Sequence, residues 1–201
     1  MAKIDYPKVK RVLDAVLSFL ALLILSPIFL ILAIAIKVDS KGSVLFTQNR
    51  IGIHKSHFCM LKFRTMRVDT PHDTPKHLLE DPAQWITKVG GFLRKTSLDE
   101  LPQIWNIFVG QMSIIGPRPA LWNQDELIQA RDKYGANGAK PGLSGLAQIN
   151  GRDSLTDEEK ARLDGEYAKN MSFRMDVSCF LKTIVRVWKF DIAEGRREKG
   201  L

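Results

Sequence analysis

Between Asp14 and Lys37 the chain carries no charged residue at all. As one helix, this run of about 22 residues would reach roughly 33 Å, enough to cross a bilayer's hydrocarbon core. Whatever else the chain builds must accommodate it. Three readings compete: a cleaved signal peptide, a single-pass anchor, and a hairpin that enters and leaves by the same face. The run is too long for the apolar core of a signal peptide, although Ala33-Ile34-Ala35 matches a small-residue cleavage pattern. Ser26-Pro27, at mid-run, predicts a sharp bend: Pro27 lacks an amide hydrogen and clashes with the carbonyl of Leu23, and Ser26 offers its hydroxyl to groups so released. Lys3, Lys8, Lys10 and Arg11 precede the run, and Lys37, Lys41, Arg50 and Lys55 follow it. Without positive-inside asymmetry, both flanks are expected on the cytoplasmic side. A proline-kinked helix that still spans fits the same residues.

The rest of the 201 residues suffices for one ordinary domain. Thirty Lys and Arg against 22 Asp and Glu give a formal charge of +8, which favours an anionic partner: nucleic acid, anionic lipid or a phosphorylated substrate. Cys59 and Cys179 have neither Cys-x-x-Cys spacing nor histidines nearby, so no zinc site or disulfide framework is expected, and a reducing compartment fits. His54, His57, His72 and His77 lie scattered in loop-like sequence and do not read as metal ligands.

Residues 44–48 and 57–63 read as strands joined by a polar turn containing Gly52, and 68–81 as a surface loop. Leu101, Ile104, Trp105, Phe108, Val109 and Met112 recur at helical spacing, predicting a helix whose stripe meets core or lipid. Ser97 and Glu100 fit a capping box at its start, whereas Pro102 fits a start at Asp99. Near the C-terminus, Val177, Phe180, Leu181, Ile184 and Trp188 share one helical face and Lys182, Arg186 and Lys189 another. That pattern suits a membrane interface or a core-packed helix with a solvated basic side.

Chemistry is expected in Ser97-Leu98-Asp99-Glu100-Leu101-Pro102-Gln103. At a helix start, the dipole and free amides would keep Asp99 ionised, hence nucleophilic, and would attract phosphate; Glu100 could polarise an acceptor. Adjacent acids there also serve as plain caps. Arg94, Arg118 and Arg152 each stand beside turn-forming glycine or proline, and fixed guanidinium forks suit phosphate oxygens. The glycine-rich segment 140–152 allows close backbone approach, to a nucleotide or simply to another strand, and matches neither the P-loop nor the dinucleotide fingerprint. Basic residues are not interleaved with aromatics, so nucleic acid binding has little support.

Taken together, the 97–103 motif, Gly116-Pro117-Arg118-Pro119, Lys62-Phe63-Arg64-Thr65-Met66, and Pro141-Gly142-Leu143-Ser144-Gly145 through Gly151-Arg152 resemble the bacterial sugar transferases, the monotopic phosphoglycosyl transferases. The resemblance runs from about Lys10 to Trp188 and is to the minimal form, without an extra N-terminal membrane domain. It implies an α+β, mainly helical fold: a re-entrant membrane hairpin over 1–37 bent at Ser26-Pro27, a cytoplasmic catalytic domain over 38–201, and interfacial amphipathic helices. It further implies transfer of a sugar 1-phosphate from a UDP-sugar to polyprenol (undecaprenyl) phosphate at the cytoplasmic face of the bacterial inner membrane, with release of UMP and dependence on Mg2+. Asp99 would then be the nucleophile and a metal contact, and Glu100 its partner in a dyad. Arg94, Arg118, Arg152, Lys62, Arg64 and Asp176 would bind phosphate or substrate. Membrane lipid is an implied partner, and a homodimer is compatible. Two rivals from other classes remain: a single-pass glycosyltransferase, which would release UDP, and a basic membrane-tethered binding protein, which would release nothing.

Overall fold

The computed structural model describes residues 5–70, 82–151 and 154–197. It is mainly helical, with two small two-stranded sheets. Helix α1 (Tyr6–Asp39) is 34 residues long, with proline in its first turn and Pro27 inside. By length and composition it could cross a membrane, and only 11% of its most apolar window is buried. The predicted break at Ser26-Pro27 does not unwind it. Ser26 Oγ donates to the Leu23 carbonyl at 2.8 Å, the group that Pro27 leaves without an amide partner.

Both ends of α1 dock on the domain, while its middle does not. Near the start, Lys10, Asp14 and Ser18 are buried; near the end, so are Leu32 and Ile36. Asp14 accepts from Ser113 Oγ at 2.7 Å and from the Ile114 amide at 3.1 Å. At the far end Leu32 and Ile36 pack with Phe63 and Leu93, and Phe29 lies 5.6 Å from Phe63 between ring centroids.

Strands β1 (Leu45–Ile51) and β2 (His57–Phe63) form an antiparallel hairpin, with Leu45 opposite Phe63 and Ile51 opposite His57. The second strand matches its predicted span; the first extends beyond residue 48. Alternation turns Phe58 and Met60 toward Ile107 and Met112, which form one core cluster. Helix α2 (Lys88–Lys95) begins at Thr87, whose side chain accepts from the Gly90 amide. A Cβ at Gly90 would stand 2.1 Å from the Thr65 carbonyl oxygen, so only glycine lets α2 lie this close to the chain leaving β2.

The predicted capping box is absent. Ser97 is left-handed (φ +56°) and makes no side-chain cap, and helix α3 spans only Gln103–Phe108. Gly110, at φ +89°, turns the chain beyond it, and Arg11 donates to the Ile107 and Phe108 carbonyls at its end. The predicted stripe therefore divides: Ile104 and Met112 are core, as is Ile107, whereas Trp105 and Val109 are exposed beside α1.

Strand β3 (Ser113–Ile115) pairs in parallel with β4 (Gly142–Ser144). Helices α4 (Asp125–Tyr134), α5 (Leu146–Asn150) and α6 (Asp157–Asn170) follow in order along the chain, and α4 packs on α6 through Leu127, Ala130 and Ala161. Helix α7 (Phe173–Arg197) turns Asp176 and Cys179 inward and leaves Phe173, Val177, Phe180, Leu181 and Ile184 exposed. The apolar face foreseen for this helix is thus an outward one; the side chains of Trp188 and Lys189 lie outside the description.

Candidate active site

Asp99 and Glu100 sit in a single 3-10 turn, Leu98–Glu100, between α2 and α3. The left-handed Ser97 reverses the chain after α2. Leu98 and Leu101, on either side of the acid pair, pack against the Leu32, Ile36, Phe63 and Leu93 cluster. The pair is therefore held from behind by apolar contacts rather than by the capping bonds the sequence suggested.

The two carboxylates differ in their partners. Glu100 Oε1 accepts from Lys62 Nζ at 2.9 Å and from Arg118 at 3.1 Å. Burial opposes its ionisation, but the two cations outweigh burial and hold the carboxyl at about 2. Asp99 has no ion pair among the described residues. Burial raises its pKa, Lys62 and Arg94 pull it down, and neighbouring Glu100 pushes it up. The helix dipole expected to favour the Asp99 carboxylate is missing, since α3 starts only at Gln103, and burial outweighs the two cations so that its pKa is raised.

Each cation is placed by its own support. Lys62 ends β2. Arg94 Nε donates to Thr65 Oγ1 at 2.8 Å, a contact made possible by the Gly90 approach. Arg118 rides on a loop pinned carbonyl by carbonyl: Pro117 O accepts from the Gly142 amide at 2.8 Å, Arg118 O from Arg131 at 2.8 Å, and Pro119 O from Arg50 at 3.0 Å. The glycines behind this loop serve that packing, because a Cβ at Gly142 or Gly145 would come within 2.1 Å of Gly116 backbone atoms. Of the two readings of the 140–152 segment, strand contact is the one observed for these glycines.

Two predicted phosphate ligands are engaged at the two ends of α1. Arg64 donates to the carbonyls of Ser40 and Lys41 and so caps the end of α1. Asp176 accepts from Tyr6 at 2.7 Å, Tyr167 at 2.6 Å and Lys10, and shares no partner with the dyad. Arg152 lies outside the described residues. The sequence reading missed Arg50, counted there only as a flanking charge, and the buried pair of Arg131 and Asp164, 2.6 Å apart. Burial, then the nearby Arg118, lowers the Arg50 guanidinium to about 10. No local motif marks these three, because strand pairing and the α4–α6 contact bring them to the site from distant segments.

An acid pair among fixed cations suits phosphoryl chemistry, and the comparisons agree. The model of the family described as bacterial sugar transferase matches residues 6–190. The chain belongs to that family. It is 40% identical over 189 residues to the UDP-glucose:undecaprenyl-phosphate glucose-1-phosphate transferase of Klebsiella pneumoniae, covering 88% of this chain and 39% of that protein. It is 37% identical over 198 residues to an uncharacterized sugar transferase of Haemophilus influenzae, covering 92% and 42%. The exopolysaccharide production protein ExoY of Sinorhizobium fredii is 36% identical over 192 residues, with 89% and 84% covered. This sugar transferase thus spans about two fifths of the first two relatives and most of the third.

Proposed function

We propose that the protein transfers a sugar 1-phosphate from a UDP-sugar to a polyprenol phosphate, the opening step of a membrane glycoconjugate such as an exopolysaccharide. The contrast within the acid pair carries this reading: Glu100 is held by two cations, while Asp99 has no ion pair among the described residues and faces a cationic surround. An Asp99 oxygen attacks the sugar-bearing phosphorus, forming an acyl phosphate bond as the phosphoanhydride bond breaks and UMP departs with the bridging oxygen. An oxygen of the polyprenol phosphate then attacks the same phosphorus. The Asp99–phosphorus bond breaks, polyprenyl diphosphosugar leaves, and the carboxylate is regenerated. Lys62, Arg94 and Arg118 offset the charge that gathers on the phosphoryl oxygens, and Glu100 fixes two of them.

Asp99 supplies a hard carboxylate oxygen of the kind Mg2+ takes, and such an ion would draw its other ligands from water and substrate phosphate. Held by Asp99, Mg2+ would supply charge neutralisation at the diphosphate.

The membrane reading rests on α1. Its buried residues 10 and 36 would be about 39 Å apart on a straight helix, yet both pack on one domain. A helix crossing the bilayer would carry one of these ends to the far side. A re-entrant hairpin bent near Ser26-Pro27 keeps both on the cytoplasmic side and immerses the apolar middle, with Trp105, Val109 and the exposed face of α7 at the interface. The active site then stands at headgroup height, within reach of a lipid phosphate.

The test is incubation with UDP-glucose, UDP-galactose and other UDP-hexoses without acceptor. UMP release with a phosphosugar mass added at Asp99 is expected. With polyprenol phosphate then added, product formation by an enzyme that never carries the modification, or release of UDP in either incubation, overturns the mechanism.

A further inference from the structure

Arg118 also lines a cleft walled by β1, the 117–121 loop, α4, α5 and α6. Ala120, Leu127 and Ala147 make part of its wall apolar, while Arg50, Arg118 and Arg131 bring three guanidinium groups to it and Lys160 an ammonium. Four buried polar atoms of its lining residues have no hydrogen-bond partner among the described residues: Arg50 Nε, Asp164 Oδ1, and both Nε2 and Oε1 of Gln148. Asp164 is 1% exposed, and its other oxygen is engaged by Arg131. Unpaired polar atoms at such depth are costly unless ordered water or a ligand meets them.

We infer that this cleft receives the uracil base of the donor nucleotide, with Gln148 as the residue that reads it. The inference rests on the donor assignment proposed above. A donor whose reacting phosphorus lies at Asp99 and whose second phosphate meets Arg118 extends its nucleoside half into this cleft. Uracil is flat and presents one N–H between two carbonyl oxygens. Buried in its lining residues are two unpartnered donors, Arg50 Nε and Gln148 Nε2, and two unpartnered acceptors, Asp164 Oδ1 and Gln148 Oε1, while Ala120, Leu127 and Ala147 give apolar walls for the ring faces. Cytosine, with an amino group in place of one carbonyl, inverts part of that pattern. The amide of Gln148 is enclosed, so it turns toward the cleft when the base enters.

Gln148→Leu and Gln148→Glu test this by calorimetry with UMP, CMP and pyrophosphate, and by donor kinetics. Both variants are expected to bind UMP about tenfold or more weakly, with pyrophosphate affinity retained, and to lose the preference for UMP over CMP. The kinetic loss should fall on KM for the UDP-sugar more than on kcat. Unchanged UMP affinity in two folded variants, or equal loss for UMP and pyrophosphate, overturns the base assignment. A wild-type protein that binds UMP selectively but releases none from any UDP-sugar would reject the proposed reaction and keep the cleft.

Discussion

The molecule has two clusters of buried charge, and they differ in what is left over. Where α1 meets α6 and α7, Lys10 and Asp176 sit in contact, Tyr6 and Tyr167 complete the Asp176 carboxylate, and Asp14 is met by Ser113 and Ile114. No oxygen of either acid goes without a donor. Around Asp99 the count is different: Glu100 is doubly paired, Asp99 has no ion pair among the described residues, and Arg50, Gln148 and Asp164 keep unpaired atoms beyond it. The first cluster holds elements together, and the second keeps polar atoms that a substrate can meet. By residue type alone the two clusters look the same.

The largest effect should come from Asp99→Asn. Turnover should fall by about a thousandfold or more, because the amide cannot form the acyl phosphate. Its melting temperature should be no lower than wild type, since burial already disfavours the Asp99 carboxylate. UMP release and calorimetry measure the two, and substantial turnover would remove Asp99 from its role.

Asp176→Ala should do the reverse. It leaves Lys10 buried without its partner, at a cost of about 3–5 kcal/mol, with activity per folded molecule largely kept. Denaturant titration of detergent-solubilised protein reads the loss, and pairing the change with Lys10→Met should restore much of it. A folded Asp176→Ala enzyme that has lost donor turnover would move Asp176 back into the site.

The Glu100 pairings predict a pH dependence. Its carboxyl is lowered from 4.5 to about 2 on folding, so its stabilisation, at most about 3 kcal/mol, is complete above pH 4.5 and disappears as pH falls toward 2. Melting curves of Glu100→Gln should therefore converge with wild type across that window. A constant gap would mean the cations do not hold this acid. The smallest effect belongs to Ser26→Ala, about 1 kcal/mol, from the bond that takes up the Leu23 carbonyl. Amide exchange across residues 20–30 in bilayer discs measures it, and unchanged protection would make the hydroxyl incidental.

Much of this was legible in the sequence. The apolar run, the β2 strand and the two-faced pattern of α7 follow from period, and the nearness of Lys62, Arg94 and Arg118 to the acid pair is in line with what the family resemblance implied. What escaped depends on long-range placement. Arg64 and Asp176 stand in or near motif residues, yet they bind the two ends of α1, because a long helix with few internal supports needs polar anchors. Lys10, Arg11 and Lys37, read as flanking charges that report topology, instead contact Asp176, the end of α3 and the Gly42 carbonyl. Their count around the run therefore says less about sidedness than their partners do. Gln148 falls in the glycine-rich segment read as able to approach a nucleotide, but Asp164 carries no local signature; an acid on a helix looks solvated until a second helix covers it.

Leu98 and Leu101, bracketing the acid pair, rest on Leu32 and Ile36 of α1, and Asp39 at the end of that helix accepts from the Val89 amide that opens α2. With α1 seated in a leaflet as proposed, this continuous packing works as a depth gauge. The elevation of Asp99 over the acyl chains is set by interlocked side chains rather than a slack tether, so a thinner or thicker bilayer would move nucleophile and lipid phosphate relative to one another.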